Sequence, residues 1–172
     1  TGKHLLNFLD NHDVPRIATK LDDVRHLRPL YGLLFGMVGV PNVYYGSEWG
    51  IEGEQSFGDH EIRPALDAPE WNELTDWIAA LSARRASGAA GSEALCWGDY
   101  AQIEVQPRQL LFQRKSQHER LLVAINMANE PYVFHFDAGC GRAVDVIDGS
   151  EHDFGGGSEV EPFSCHYWLC ER

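Results

Sequence analysis

Apolar and polar positions change their period twice along this chain, and the changes divide it. Residues 5–9 read Leu-Leu-Asn-Phe-Leu, apolar except for Asn7. That density predicts a strand covered on both faces, as in a parallel sheet, because a half-exposed strand alternates. Asp10, Asn11, His12 and Asp13 then arrive together, and Pro15 stops a ladder from continuing. From Val24 the apolar residues recur at three and four: Val24, Leu27, Leu30, Leu33, Leu34, Met37 and Val38. This spacing predicts a helix over 24–38, with Asp22 and Asp23 near its positive end. Pro29 either kinks that helix or marks its true first turn. From Leu30 the helix is apolar all round, which predicts burial on several sides. Gly32, Gly36 and Gly39 leave room for another element to pack closely. Gly39-Val40-Pro41 ends the helix, and residues 43–45, Val-Tyr-Tyr, read as a second strand. Strand, helix and strand in this order form a βαβ unit, whose two strands run parallel.

A polar, glycine-punctuated loop over 46–69 follows, longer than the usual connection after such a strand. Leu74, Trp77, Ile78 and Leu81 define one face of a helix that ends near Arg84 and Arg85, where cations suit the negative terminus. Residues 86–92, small, uncharged and glycine-rich, read as a linker. Beyond it the period becomes two. Leu121, Val123, Ile125 and Met127 alternate with their neighbours, as do Tyr132, Phe134 and Phe136. Runs at 110–114, 143–147 and 163–169 complete a set of short strands separated by turn residues, which predicts an antiparallel sandwich. The fold class expected is therefore α/β, two βα units of a partial barrel over 1–88, followed by an all-β antiparallel sandwich over 92–172. A (β/α)8 barrel needs eight units. Two alone leave open strand edges. The first half should then pack on the β domain, self-associate through those edges, or depend on a further part of the protein.

Composition narrows the function classes. The 172 residues are 44% hydrophobic and 23% charged, which suits a globular protein with a core. A formal net charge of −12 argues against nucleic acid and anionic membranes as partners. The longest nearly uncharged apolar stretch, residues 30–40, falls short of the ~20 needed to span a bilayer. The chain opens Thr1-Gly2-Lys3, without an initiator Met, and so reads as a processed product or an excised piece, whose upstream region could have carried a signal peptide. Cys96, Cys140, Cys165 and Cys170 contain no CxxC pair, which argues against zinc and for free thiols in a cytoplasmic protein.

A buried strand that ends in clustered polar groups is how an α/β barrel presents side chains to a substrate. A strand followed by an ordinary polar turn gives the same letters. Phe8-Leu9-Asp10-Asn11-His12-Asp13 resembles the fourth signature region of the α-amylase family of retaining glycoside hydrolases, which closes the seventh barrel strand in that family. Val14-Pro15-Arg16 continues the resemblance, and residues 41–50, Pro-Asn-Val-Tyr-Tyr-Gly-Ser-Glu-Trp-Gly, resemble the eighth strand and its loop. It extends through Arg63-Pro64 and the 74–85 helix into the β-rich tail.

The resemblance implies that Asp13 is the family's third carboxylate, a transition-state stabiliser, and that His12 beside it binds the same sugar. It places the nucleophile and the acid/base on earlier strands, and neither carries over to a residue here. An ionised Asp13 would accept two sugar O–H bonds, which strengthen as the ring flattens. His12 would donate an N–H; its bland alternative is a histidine satisfied by local backbone. Asn11 belongs to the same turn. Arg16 either organises that turn or is a solvated charge. Arg63 matches, loosely, an arginine that reaches the sugar pocket from this loop in some members, against the alternative of a surface arginine. Tyr45 and Glu48 stand where the second strand opens; Tyr45 could stack on a sugar or belong to the core, as could Trp49 and Trp71. Asp13 and Glu48 as a complete catalytic pair have nothing else in the chain in their favour.

The function implied is the C-terminal portion of a retaining α-glucan-active enzyme, with starch, maltodextrin or cyclodextrin as substrate, and with this chain alone inactive. No metal or other cofactor is called for by these residues, although calcium stays open for a whole enzyme. The competing reading is a non-catalytic carbohydrate-binding or assembly module using Tyr132, Phe134, Tyr167 and Trp168, although alternation sends most of these inward. A metal-dependent hydrolase built on His12, Asp13, His26 and His60 lacks any supporting spacing.

Overall fold

The computed structural model describes residues 4–56 and 58–171; the opening Thr1-Gly2-Lys3 lies outside them. Strand β1 (Leu6–Phe8) leads through a one-turn helix α1 (Ile17–Lys20) and a 3-10 turn (Val24–His26) into helix α2 (Leu27–Gly36). Strand β2 (Val40–Asn42) follows and pairs with β1 in parallel, Leu6 opposite Val40 and Phe8 opposite Asn42. Both strands differ from expectation in extent. The second lies three residues earlier than 43–45, because Gly39 at φ 115° turns the chain straight from α2 into the ladder. There the Val40 N–H donates to the Leu5 carbonyl at 2.8 Å. The expected two-sided burial of β1 is also not met: Leu6 is 59% and Phe8 45% exposed. One face lies towards α2, and nothing among the described residues covers the other.

Pro29 falls in the first turn of α2, so the proline marks its start and the preceding residues wind as 3-10. Helix α3 (Glu73–Arg84) begins at a capping box, in which the Asn72 carboxamide accepts from the Thr75 N–H and the Thr75 hydroxyl accepts from the Asn72 N–H. Residues 86–91 are a series of tight turns, after which helix α4 (Ser92–Trp97) and strand β3 (Asp99–Val105) appear, neither of them visible in the periodicity.

Strands β4 (Gln109–Lys115), β5 (Arg120–Asn126), β6 (Tyr132–Phe134), β7 (Arg142–Asp145), β8 (Glu151–Asp153), β9 (Ser158–Val160) and β10 (Ser164–Cys170) complete the chain. Six form one antiparallel sheet in the order β3-β4-β5-β10-β7-β8, and β6 pairs with β9 in a second, two-stranded one. The sheet has two apolar faces. Leu111, Leu122, Ala124, Ala143 and Trp168 pack with Phe134 and Val160 of the small sheet, making the sandwich. Phe112, Leu121, Val123, Ile125 and Tyr167 pack instead with Tyr31, Leu34 and Phe35 of α2 and with Trp77 and Leu81 of α3. One continuous core therefore joins the helical half to the sheet.

The carbonyl end of α2 is where the two halves are stitched. Its last C=O groups lack partners within the helix. Arg114 of β4 donates to the Gly36 carbonyl at 2.8 Å, and Arg85 donates to Phe35 and Gly39 at 2.7 and 2.6 Å. Tyr167 donates to the Gly32 carbonyl at 2.6 Å. Two guanidinium groups at the negative end of a helix are favourably placed. Among the described residues no helix is long and apolar enough to cross a membrane.

Candidate functional site

The turn after β1 divides its polar residues between the interior and the surface. Asp10 is 2% exposed. Its carboxylate accepts from the Ile17 N–H at 2.9 Å, anchoring α1, and from the Ser47 hydroxyl at 2.8 Å. Arg16, fully buried, donates through Nη1 to the Ser47 Oγ at 3.1 Å and the Tyr45 carbonyl at 2.7 Å. Its guanidinium lies 4.2 Å from the centre of the Tyr44 ring. Asp10, Ser47 and Arg16 thus tie the end of β1 to the loop after β2. Arg16 is not a solvated charge; it organises the turn from inside. Asp10 was legible only as one more turn residue, because its partner Ser47 is 37 positions away.

Asn11, His12 and Asp13 lie on the outer side. The Asn11 carboxamide accepts from the Asp13 N–H at 2.8 Å, an Asx turn that fixes how Asp13 projects. The side chains of His12 and Asp13 are 59% and 63% exposed, with Nε2 and Oδ2 3.3 Å apart. The 46–69 loop folds back onto this edge and brings Arg63 with it. Arg63 donates through Nε to the His12 carbonyl at 2.8 Å and through Nη2 to Asp13 Oδ1 at 3.1 Å. Asp59 holds the same guanidinium at 3.2 Å. The loosely matched Arg63 thus lies against the turn that carries His12 and Asp13.

Tyr44 and Tyr45 form the side wall, with ring centres 4.7 Å apart, and the His12 imidazole stands 6.4 Å from Tyr44. Tyr45 is 41% exposed, so it is a rim residue rather than core. Its hydroxyl donates to the Pro64 carbonyl at 2.9 Å and pins the loop. Partial burial and the neighbouring Tyr45 phenol raise Tyr44 above the ordinary phenol value. Glu48 does not join this cluster. Its Oε2 is shut off from solvent without a hydrogen-bond partner among the described residues. Burial, followed by the charges of Asp10 and Glu48, raises the Tyr31 phenol well above its usual range, so Glu48 acts on the interior beside α2. An Asp13–Glu48 catalytic pair therefore has no geometric support. Trp49 is half-buried, and Trp71 is 72% exposed but donates to Asp76 at 2.8 Å, at the start of α3.

The rim that results carries carboxylates, an imidazole, a guanidinium and two phenol rings. Such a set can accept and donate hydrogen bonds to a polyhydroxylated ring and stack on it. Its two exposed carboxylates, Asp13 and Asp59, both bond Arg63 Nη2, at 3.1 and 3.2 Å, so a guanidinium stands between them where retaining glycoside hydrolysis needs the sugar. Among the described residues no three His, Cys, Asp or Glu are arranged to hold a metal ion.

Residues 2–93 match the protein family described as alpha amylase, catalytic domain. The chain is 37% identical over 67 residues to a maltogenic alpha-amylase of Bacillus acidopullulyticus, covering 38% of this chain and 10% of that protein. It is 26% identical over 173 residues to alpha-amylase 2 of Dictyoglomus thermophilum, covering 95% of this chain and 29% of that one. The crystal structure of an alpha-amylase from Geobacillus thermoleovorans, complexed with acarbose, superimposes with a TM-score of 0.84 at 20% identity, over 98% of this chain and 39% of that one. The chain therefore spans less than a third of the length of these two sequence relatives.

Proposed function

Because the chain belongs to the α-amylase family of glycoside hydrolases, we propose that it is the C-terminal portion of a retaining α-glucan-active enzyme, supplying one side of the sugar pocket. In this reading β1 and β2 are the last two strands of a barrel whose earlier strands bring the nucleophile and the acid/base. The relatives' names point to starch-type substrates, since they include a maltogenic alpha-amylase and a cyclomaltodextrin glucanotransferase.

The observation that carries the proposal is the exposed His12–Asp13 pair at the end of a strand that runs parallel to its neighbour. Asp13, ionised, accepts hydroxyl protons from the ring whose bond is cleaved. Positive charge grows on that ring towards the transition state, and the bonds to a carboxylate strengthen with it. His12 donates to the same ring, and Arg63 holds both in position by bonding the His12 carbonyl and the Asp13 carboxylate. Asn11 fixes the turn, Arg16 and Ser47 support it from below, and Tyr45 offers a ring edge to the sugar.

The binding-module reading loses its platform: Phe134 and Tyr167 are fully buried, Trp168 is 2% exposed, and only Tyr132 is partly accessible. The test is hydrolysis of p-nitrophenyl α-maltoside by this chain alone. The proposal expects release no faster than buffer. Release above buffer that Asp13→Asn abolishes would mean that the reacting groups lie within these residues.

A further inference from the structure

The four cysteines are free thiols in different surroundings. Cys165 is buried against α2, where a Cβ on Gly32 would meet its sulfur at 2.5 Å. The Cys96 thiol donates to the Arg85 carbonyl at 3.6 Å. Cys140 and Cys170 instead lie together. Both line one cleft of about 740 Å³ on the edge of the β half, with Arg120 and Gly139 beside them. Both pack on the same apolar cluster between the two sheets.

Their chains meet where the ladder between β7 and β10 ends. Cys170 pairs with Ala143, and the Glu171 N–H donates to the Arg142 carbonyl at 3.2 Å. Gly139, at φ 63°, turns the chain so that Cys140 comes back towards the end of β10. A Cβ on Gly139, next to Cys140, would stand 3.2 Å from Arg120 Nη1, the same atom that approaches the Cys170 sulfur, so the two cysteines flank one guanidinium. Burial, and then the Cys140 thiol beside it, push the Cys170 thiol up to about 12, so the two sulfurs interact. Arg120 bonds the Ala138 carbonyl and places Nη1 4.0 Å from the Cys170 sulfur, a cation on the side from which a thiolate would be stabilised.

We propose that Cys140 and Cys170 are a dithiol modification site that closes to an intramolecular disulfide when a small disulfide oxidant, such as glutathione disulfide, enters this cleft. Cys140 loses its proton to solvent and its thiolate attacks one oxidant sulfur. The oxidant S–S bond breaks, and one glutathione thiolate leaves. Cys170, deprotonated as it approaches, attacks the Cys140 sulfur of the mixed disulfide and expels the second glutathione thiolate. One protein disulfide forms, the oxidant is reduced to two thiols, and the two protons balance the two departing thiolates. The bridge would tie the last strand of the sheet to the loop after β6, closing a segment of some thirty residues, long enough for a measurable gain in stability.

The test treats the native full chain with glutathione disulfide, blocks remaining thiols with iodoacetamide, and maps peptides by mass spectrometry alongside thermal unfolding. A linked Cys140–Cys170 peptide is expected, with Cys96 and Cys165 unlinked and a rise in Tm of about 5 °C that dithiothreitol reverses. Cys140→Ser and Cys170→Ser should each lose both the linked peptide and the rise. Recovery of Cys140 and Cys170 as separate alkylated peptides, as two separate glutathione adducts, or linked to either of the other cysteines would overturn the proposal.

Discussion

Asp10 and Asp13 are three residues apart on one turn and live in opposite surroundings. Asp10 is buried, and its lone pairs are taken by the Ile17 N–H and the Ser47 hydroxyl; Asp13 is open to solvent and shared between His12 and Arg63. The first holds the turn together and the second is available to a ligand. Removing the support should therefore cost folding. Arg16→Leu takes away the cation between Ser47 and the tyrosine rings, and truncating one member of a buried charged network costs about 3–5 kcal/mol; urea unfolding should show it as a lower midpoint with little change in slope. Arg63→Ala removes only exposed contacts and should shift the midpoint by less than about 1 kcal/mol. Sequence made His12 and Asp13 legible because they are adjacent and carry a motif. The division of labour around them was not legible, since Arg16 and Asp10 meet through Ser47, more than thirty positions away from either.

At the scale of elements, α2 and β10 are fitted to one another. Helix α2 read correctly as a heavily buried helix, and its glycines as close-approach positions. What they approach could not be read, because β10 lies more than a hundred residues on. A Cβ at Gly32 would stand 2.5 Å from the Cys165 sulfur and 2.8 Å from its Cβ, so Gly32→Ala should destabilise by about 1–3 kcal/mol through overpacking, despite alanine's better helix propensity. Strand β10 also carries His166, whose ring nitrogens each lie 2.8 Å from a carboxylate, Asp145 on one side and Glu161 on the other. Burial alone would lower its pKa, but the bonds to Asp145 and then Glu161 outweigh burial and raise it above the ordinary 6.5. Burial would likewise raise Glu161, but the His166 bond leaves it lowered from 4.5. A raised histidine stabilises the fold below pH 6.5 and loses that stabilisation as pH rises through its folded value. A lowered carboxylate stabilises above pH 4.5 and loses it as pH falls. Stability should therefore peak between these values and decline on the alkaline side. His166→Asn should remove about 1.5–3 kcal/mol near pH 6. It should remove distinctly less near pH 9, as chemical unfolding at the two pH values would report.

For the whole molecule, the sheet-rich half was readable as alternating strands, whereas α4 and β3 were hidden. Alanine, glycine and serine around 86–92 look like a linker whether or not a short helix follows. The apolar density of β1 predicted cover on both sides, yet Leu5, Leu6, Phe8 and Val40 are exposed. The letters record burial that the described residues do not supply, which accords with a barrel wall completed by other strands. Left alone, this face should self-associate: sedimentation of the isolated chain should show concentration-dependent dimers or larger species, and Leu6→Lys with Phe8→Lys should return it to monomer. A monomer at every concentration would mean that the open edge is not sticky.

The central claim is that Asp13 supports a transition state formed between this rim and groups from earlier strands. Its most direct test is kcat on maltoheptaose for a full-length enzyme in which these residues follow the upstream strands, with and without Asp13→Asn. The account predicts a fall in kcat of at least about 100-fold, as when a single transition-state contact is lost, with Tm unchanged. A variant that turns over within about twofold of the parent, an energy difference under about 0.5 kcal/mol, would contradict it.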